Sequence, residues 1–242
     1  MNSVITETET EPPVLGGWRD ATLVEIERPS DHAAILRLRL PDRPPHQAGQ
    51  HYVIRLTADD GYTAQRSYSI ASGPADELLE FYIERLPGGE VSGYLTEIAE
   101  VGDSVEVRGP IGGWFVWPGE SPALGIGGGS GIAPLRAMLR HAAALGRPDL
   151  LRLVVSARTV ADLPYAAELE AAGATMIITR EPAAGGRAAG RLAATDLGPV
   201  LDPAQTVFVC GSSGFAESAG QALMSLEVEP GRVRVERFGP TG

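Results

Sequence analysis

The sequence predicts a two-domain chain, an antiparallel β-barrel followed by an α/β domain built on a parallel sheet. Three observations predict it. Short segments of alternating apolar and polar residues, separated by turn clusters, fill the first half. Strand and helix patterns alternate through the second half. The change of character falls at Trp117-Pro118-Gly119, which sets the barrel at 16–118 and the α/β domain at 119–242. Met1 to Glu11 is polar and acidic, with neither the basic start nor the apolar run of a signal peptide. Residues 1–15 therefore read as a disordered N-terminal tail.

In the barrel half, residues 21–26, 33–40, 52–57, 66–71, 78–85 and 104–108 read as strands. Leu36-Arg37-Leu38-Arg39-Leu40 alternates strictly, so one face is buried and the other wet. Pro41-Asp42-Arg43-Pro44-Pro45 and Asp59-Asp60-Gly61 are turn clusters. Six short strands with such turns predict a closed antiparallel barrel. One helix, 91–99, opens beside Gly88-Gly89.

In the second half, 123–126 is a short buried strand that runs into a glycine turn. Residues 132–145 form a helix, with Pro134 in the first turn where a missing N–H costs little. A strand at 151–156, a helix at 163–172 ended by Gly173, and a strand at 175–179 follow. The last elements are a strand at 206–210, a helix at 215–226 and a strand at 232–238. This alternation predicts a parallel sheet with helices on both faces. The Ala/Gly-rich stretch 183–190 reads as a loop.

Composition excludes several classes. No apolar run reaches the roughly 18 residues needed to cross a bilayer as a helix. A single cysteine rules out an internal disulfide and a four-thiolate iron–sulfur cluster. The four histidines show no zinc spacing, so a cytoplasmic, metal-free protein is the simplest reading. The net charge of −11 argues against non-specific nucleic-acid binding. All 20 basic residues are arginine, so a lysine-dependent P-loop is absent. Any phosphate is then held by backbone amides or by arginine, which suits bidentate contacts.

Four motifs carry the chemistry. The first is Arg66-Ser67-Tyr68-Ser69-Ile70-Ala71-Ser72. The second runs through Phe81-Tyr82-Ile83-Glu84-Arg85 to Gly88-Gly89-Glu90-Val91-Ser92. The third is Gly127-Gly128-Gly129-Ser130-Gly131-Ile132-Ala133-Pro134, and the fourth Cys210-Gly211. Arg66 and the backbone at Gly88-Gly89, ahead of a helix, both suit a pyrophosphate. Taken alone, Gly88-Gly89 reads as a hairpin turn and Arg66 as a surface charge; their joint occurrence in this spacing points to the pyrophosphate instead. Arg66 and Tyr68 share one strand face, while Ser69 faces the other way. Tyr68 is either a stacking ring or a core tyrosine. The glycine turn after residue 126 is not the dinucleotide fingerprint G-x-G-x-x-G, yet it follows a strand and opens a helix, so its amides suit a pyrophosphate too. Cys210 is either a small buried residue or part of a site.

In this order and over most of the chain, the four motifs resemble the ferredoxin–NADP reductase superfamily. The resemblance implies FAD in the barrel, NADPH in the α/β domain, and hydride transfer from nicotinamide C4 to flavin N5. Arg66, Ser67, Tyr68, Ser69, Tyr82, Ile83, Gly89, Val91 and Ser92 match flavin-binding positions. Gly109 to Phe115 resembles the segment that closes the barrel, and Trp114 either covers the adenine or is structural. Gly128, Gly129, Ser130, Gly131, Thr179, Cys210 and Gly211 match nicotinamide-side positions. Arg158, Arg180 and Arg191 correspond to arginines around a 2′-phosphate, which favours NADPH. Glu236 and Phe238 match a C-terminal carboxylate and a ring that covers the flavin. Here the ring is phenylalanine and four residues follow it, a departure from Glu-x-Tyr. Tyr68, Ser69, Cys210, Glu236 and Phe238 are then the catalytic set. The implied acceptor is a separate ferredoxin, flavodoxin or oxygenase component. The alternatives are an NADH-dependent or free-flavin reductase, and a non-catalytic subunit that binds flavin or nucleotide.

Overall fold

A computed structural model describes residues 16–182 and 187–239. Tail residues 1–15 and part of the 183–190 loop lie outside the described residues. The first sheet contains β1 (Arg19–Ser30), β2 (Ala33–Arg39), β3 (His51–Thr57), β4 (Thr63–Ser69), β5 (Leu79–Glu84) and β6 (Ser104–Ile111). They run in the order β4-β3-β6-β1-β2-β5, with antiparallel pairing throughout. The two edges meet where Ile70 bridges Phe81 and the Ala71 N–H donates to Glu80 O at 2.8 Å. That closure removes the exposed edges that open sheets must otherwise protect. Leu23, Leu36, Leu38, Tyr52, Ile54, Phe81 and Val107 fill the interior.

In this sheet three strands depart from the sequence reading by two residues or more at an end. β1 is twelve residues long, because its first residues pair with β6 and its last with β2. β4 starts at Thr63, paired with Thr57, and stops at Ser69, where the chain leaves β3 to reach β5. β6 continues to Ile111, which pairs with His51. The expected helix at 91–99 is also irregular. It comprises α1 (Glu90–Gly93) and then a wide π turn, Tyr94–Ile98. There the Thr96 hydroxyl donates to Ser92 O at 2.7 Å, and such back-bonding distorts helices. Arg28 donates to the Thr96 and Ala99 carbonyls, and Val91, Leu95 and Ala99 cap the barrel core.

The second sheet is parallel: β7 (Ala123–Gly128), β8 (Leu151–Ala157), β9 (Thr175–Ile178), β10 (Thr206–Ser212) and β11 (Val233–Phe238). Its order is β11-β10-β7-β8-β9. The helices are α2 (Ile132–Ala144), α3 (Ala166–Ala171), α4 (Ala194–Leu197) and α5 (Ser213–Ser225). Phe208 and Cys210 face one layer with α2 and α3, while Val207 and Val209 face the other with α4 and α5. This period-two alternation produces a sheet covered on both faces. α3 starts later than residue 163 because Pro164 precedes Tyr165, which has φ 59 and is therefore not helical. The short α4 was not foreseen. α5 starts at Ser213, because the Ser212 hydroxyl accepts from Phe215 N at 3.3 Å. Ala48, Phe115 and Trp117, all before residue 118, pack into the α2 and α3 layer.

Candidate active site

In the parallel sheet the strand order reverses at β7, which has β8 on one side and β10 on the other. In open α/β sheets, ligands bind outside the carboxyl ends of strands at such a switch point. Here that end carries Gly128 at the end of β7, a 3-10 turn at Gly129–Gly131, and Cys210 and Gly211 on β10. Gly129 has φ +56, a left-handed conformation that costs an L side chain about 1–2 kcal/mol. At Gly131 a Cβ would lie 2.2 Å from Cys210 O, so only glycine lets this turn reach β10. Ser130 lies between them, partly exposed.

Cys210 pairs in register with Glu236 on β11, and Ser212 with Phe238. Burial pushes the Cys210 thiol well above its usual range, and Glu236 adds to the effect. The thiol therefore stays protonated, which argues against a nucleophile. Burial also raises Glu236 to about 7. Phe238 packs against the α2 and α3 layer.

On the barrel side, Arg66 and Ser67 are exposed and Tyr68 is half-buried against the barrel core. Ser69 is buried, and its hydroxyl has no hydrogen-bond partner among the described residues. Buried hydroxyls are normally satisfied, so an orphan of this kind fits a group reserved for a ligand. Tyr82 is buried in a cluster with Ala33, Ile35 and Ala71 of the barrel and Ala133 of α2. Ile83 and Val91 point into the barrel core, so only their backbone can meet a ligand. Ser92 is also not free: its hydroxyl accepts from Leu86 N at 3.1 Å and faces Gly89 O at 3.3 Å. It clamps its own turn rather than offering a hydroxyl outward. Arg66 remains near that turn, because β4 contacts α1 and Tyr62 Oη donates to Glu90 at 2.9 Å.

The three nucleotide-side arginines converge through backbone pairing. Arg180 N donates to Arg158 O at 2.9 Å, Thr179 N to Ala157 O at 3.0 Å, and Gly190 N to Ile178 O at 3.1 Å. Arg158, Arg180 and Arg191 are all exposed. Trp114 is 64% exposed, with the Arg234 guanidinium 5.5 Å from its ring centre.

Sequence reasoning missed the contacts that join the two halves. Arg136 and Arg140 of α2 reach Glu80 and Asp76 of the barrel, and Tyr165 lies between Arg136, over its ring, and Tyr82, edge-on. Two arginines four apart in an apolar helix were the available signal. Trp18, which stacks with Arg55 and Arg108, was missed as well.

An unpartnered serine on the barrel and a glycine cradle that a Cβ would fill suit a flavin and a dinucleotide. Comparison with protein families agrees. Residues 20–116 match the oxidoreductase FAD-binding domain and residues 126–221 the oxidoreductase NAD-binding domain. The chain thus carries the FAD-binding and NAD-binding oxidoreductase domains of the ferredoxin reductase-like family. With both domains, it is an NAD(P)H-dependent FAD oxidoreductase. It is 28% identical, over 91% of its length and 69% of the relative's, to a Ralstonia sp. protein. That relative is the ferredoxin–NAD(P)(+) reductase component of naphthalene 1,2-dioxygenase and salicylate 5-hydroxylase systems. An Amycolatopsis cytochrome P450 reductase superposes with TM-score 0.78 at 27% identity, covering 95% of this chain and 73% of that one. The FAD/NAD-binding domain of a Vibrio cholerae nitric oxide dioxygenase shares the fold, with TM-score 0.79 at 24% identity over 92% and 99% of the two chains. Among the described residues of this reductase, no helix is long and apolar enough to cross a membrane.

Proposed function

We propose that this reductase draws hydride from NADPH and passes electrons to a separate cytoplasmic protein, a ferredoxin, a flavodoxin or an oxygenase component. When bound, FAD converts the two-electron donation of the nicotinamide into transfers that a protein acceptor can take. The observation that carries this reading is the meeting of the glycine turn with the barrel. Ala133, at the start of α2, packs with Ala71 and Tyr82, which continue the two flavin motifs. Alignment of this kind can supply much of the catalysis, because reacting atoms held at near-attack distance avoid a bimolecular penalty.

The residues divide the work. When FAD is bound, Arg66 and the backbone around Gly89 would hold its diphosphate, and Tyr68 and Tyr82 would line the site of its ring system. Ser69 would offer its unpaired hydroxyl to that ring system. The amides of Gly128, Gly129, Ser130 and Gly131 receive the pyrophosphate of the nicotinamide cofactor. Arg158, Arg180 and Arg191 favour a 2′-phosphate, with Thr179 beside them. Cys210 and Gly211, at the end of β10, would back the nicotinamide site, with the Cys210 side chain buried beneath it. Glu236, with its carboxyl near neutrality, holds or releases a proton there, and Phe238 bounds the site.

The test is an absorbance spectrum of purified protein before and after anaerobic NADPH, with NADH in parallel. Flavin bands bleached faster by NADPH are the expected result. Faster bleaching by NADH overturns the cofactor assignment. Bound flavin that neither reductant bleaches overturns the reaction.

A further inference from the structure

Arg136 occupies an unusual position. It lies on α2, one turn beyond the glycine cradle, and is 6% exposed, yet its charged group points out of its own half into the barrel. Its Nη1 donates to Ala71 O at 3.0 Å and to Glu80 Oε1 at 2.5 Å, and its Nε to Glu168 Oε2 at 2.6 Å. The other oxygen of Glu80 receives Arg37 Nε of β2 at 2.6 Å. One buried carboxylate is thus gripped by an arginine from each half. The guanidinium also sits 4.0 Å from the Tyr165 ring centre, and Tyr165 meets Tyr82 edge-on at 6.1 Å. One turn further along α2, Arg140 makes a two-point bond to Asp76, at 2.6 and 3.1 Å.

These contacts end where the site needs a fixed distance. Ala71 lies two residues beyond Ser69, and Glu80 two residues before Tyr82. Arg136 rides on the helix that carries the Gly129–Gly131 turn. Burying a charge pair costs desolvation that its attraction barely repays, so such a pair adds little stability over an apolar replacement. It does add direction, because a planar guanidinium with several donors accepts few geometries.

We infer that Arg136 is a positioning residue for hydride transfer, a strut that fixes the nucleotide cradle relative to the β4 and β5 strands. This rests on the reading that the two cofactors meet between the halves. The informative variant is Arg136→Met with Glu80→Met. It leaves no stranded buried charge, because Arg37 keeps Glu25 and Glu27, and Glu168 keeps Arg140.

Two readouts on the full, FAD-loaded chain test the strut. The first is the interdomain distance distribution from spin labels at Asp59→Cys and Glu217→Cys, both exposed positions, one in each half. Cys210 is the only native cysteine and is fully buried, so labelling is site-specific. The second is the anaerobic rate of flavin bleaching by NADPH, with its deuterium isotope effect. The double variant is expected to hold FAD, to broaden the distance distribution, and to slow bleaching about tenfold to a hundredfold with a larger isotope effect. An unchanged distribution overturns the inference, and so does a broadened one with an unchanged rate. If NADPH fails to bleach wild-type flavin, the hydride-transfer reading falls, and the distance arm alone decides whether Arg136 holds the halves together.

Discussion

At Cys210 the side chain has no exposed surface, and its thiol is pushed well above the usual range by burial and by Glu236. A buried thiol that stays protonated does not react with alkylating reagents. Iodoacetamide is therefore expected to leave the native protein unmodified at pH 8 and to label it fully in denaturant. Native labelling within minutes would show that the β10 end opens. Glu236 gives a second prediction. Its carboxyl titrates ordinarily at 4.5, and burial raises it to about 7. Between those values the native state keeps a proton that the unfolded chain has lost, so this group's contribution falls as pH rises from about 4.5 to about 7. Glu236→Gln removes that dependence. The stability gap of the variant over wild type is expected to be larger at pH 8 than at pH 5, read from urea midpoints. Equal gaps would mean that the carboxyl is well solvated.

The turn from β7 into α2 and the ends of β8 and β9 make the element-scale predictions. A methyl at Gly131 would collide with the Cys210 carbonyl, which cannot retreat without moving β10. Gly131→Ala is expected to cost about 1–3 kcal/mol. Gly220, in the middle of α5, has open space where its Cβ would lie, so Gly220→Ala is expected to stabilise by about 0.5–1 kcal/mol. Chemical denaturation of the pair separates close approach from helix propensity, and a similar shift in both would discredit the contact. The arginines at the strand ends act through charge. Arg158→Ser with Arg180→Ser is expected to raise KM for NADPH about tenfold to a hundredfold, as losing charge-assisted bonds of about 1.5–3 kcal/mol implies. KM for NADH should stay nearly constant, and an equal rise for both would remove these residues from the 2′-phosphate.

At the scale of the molecule, the two halves are joined by ion pairs as well as by the Phe115 and Trp117 anchor. Arg136→Met alone leaves the buried Glu80 carboxylate with Arg37 as its remaining partner, so the cost is expected to fall below the roughly 3–5 kcal/mol of a fully stranded buried charge. Pairing it with Glu80→Met should recover most of that loss in a thermal or urea melt. An equal loss in the single and double variants would assign the damage to packing instead.

The four motifs and the turn chemistry around them were legible because they are local. A glycine run between a strand and a helix, or alternation such as Leu36 to Leu40, reports its surroundings through a few neighbouring residues. The order of elements likewise set the two-layer plan of antiparallel and parallel sheets. Other features depend on partners remote in sequence. The Ile83 and Val91 side chains turned inward, and Ser92 was spent on its own turn, because barrel closure decides which face is inside. Tyr165 adopts φ 59 under tertiary contact, against the helical reading of its segment. Arg136 and Glu80 stand 56 residues apart, and nothing in either segment names the other. The sequence by itself determined the two-sheet plan, most of its elements and the order of the four motifs. Only the tertiary structure decided how far apart the motifs sit, because a distance between domains is carried by long side chains that meet after both have folded.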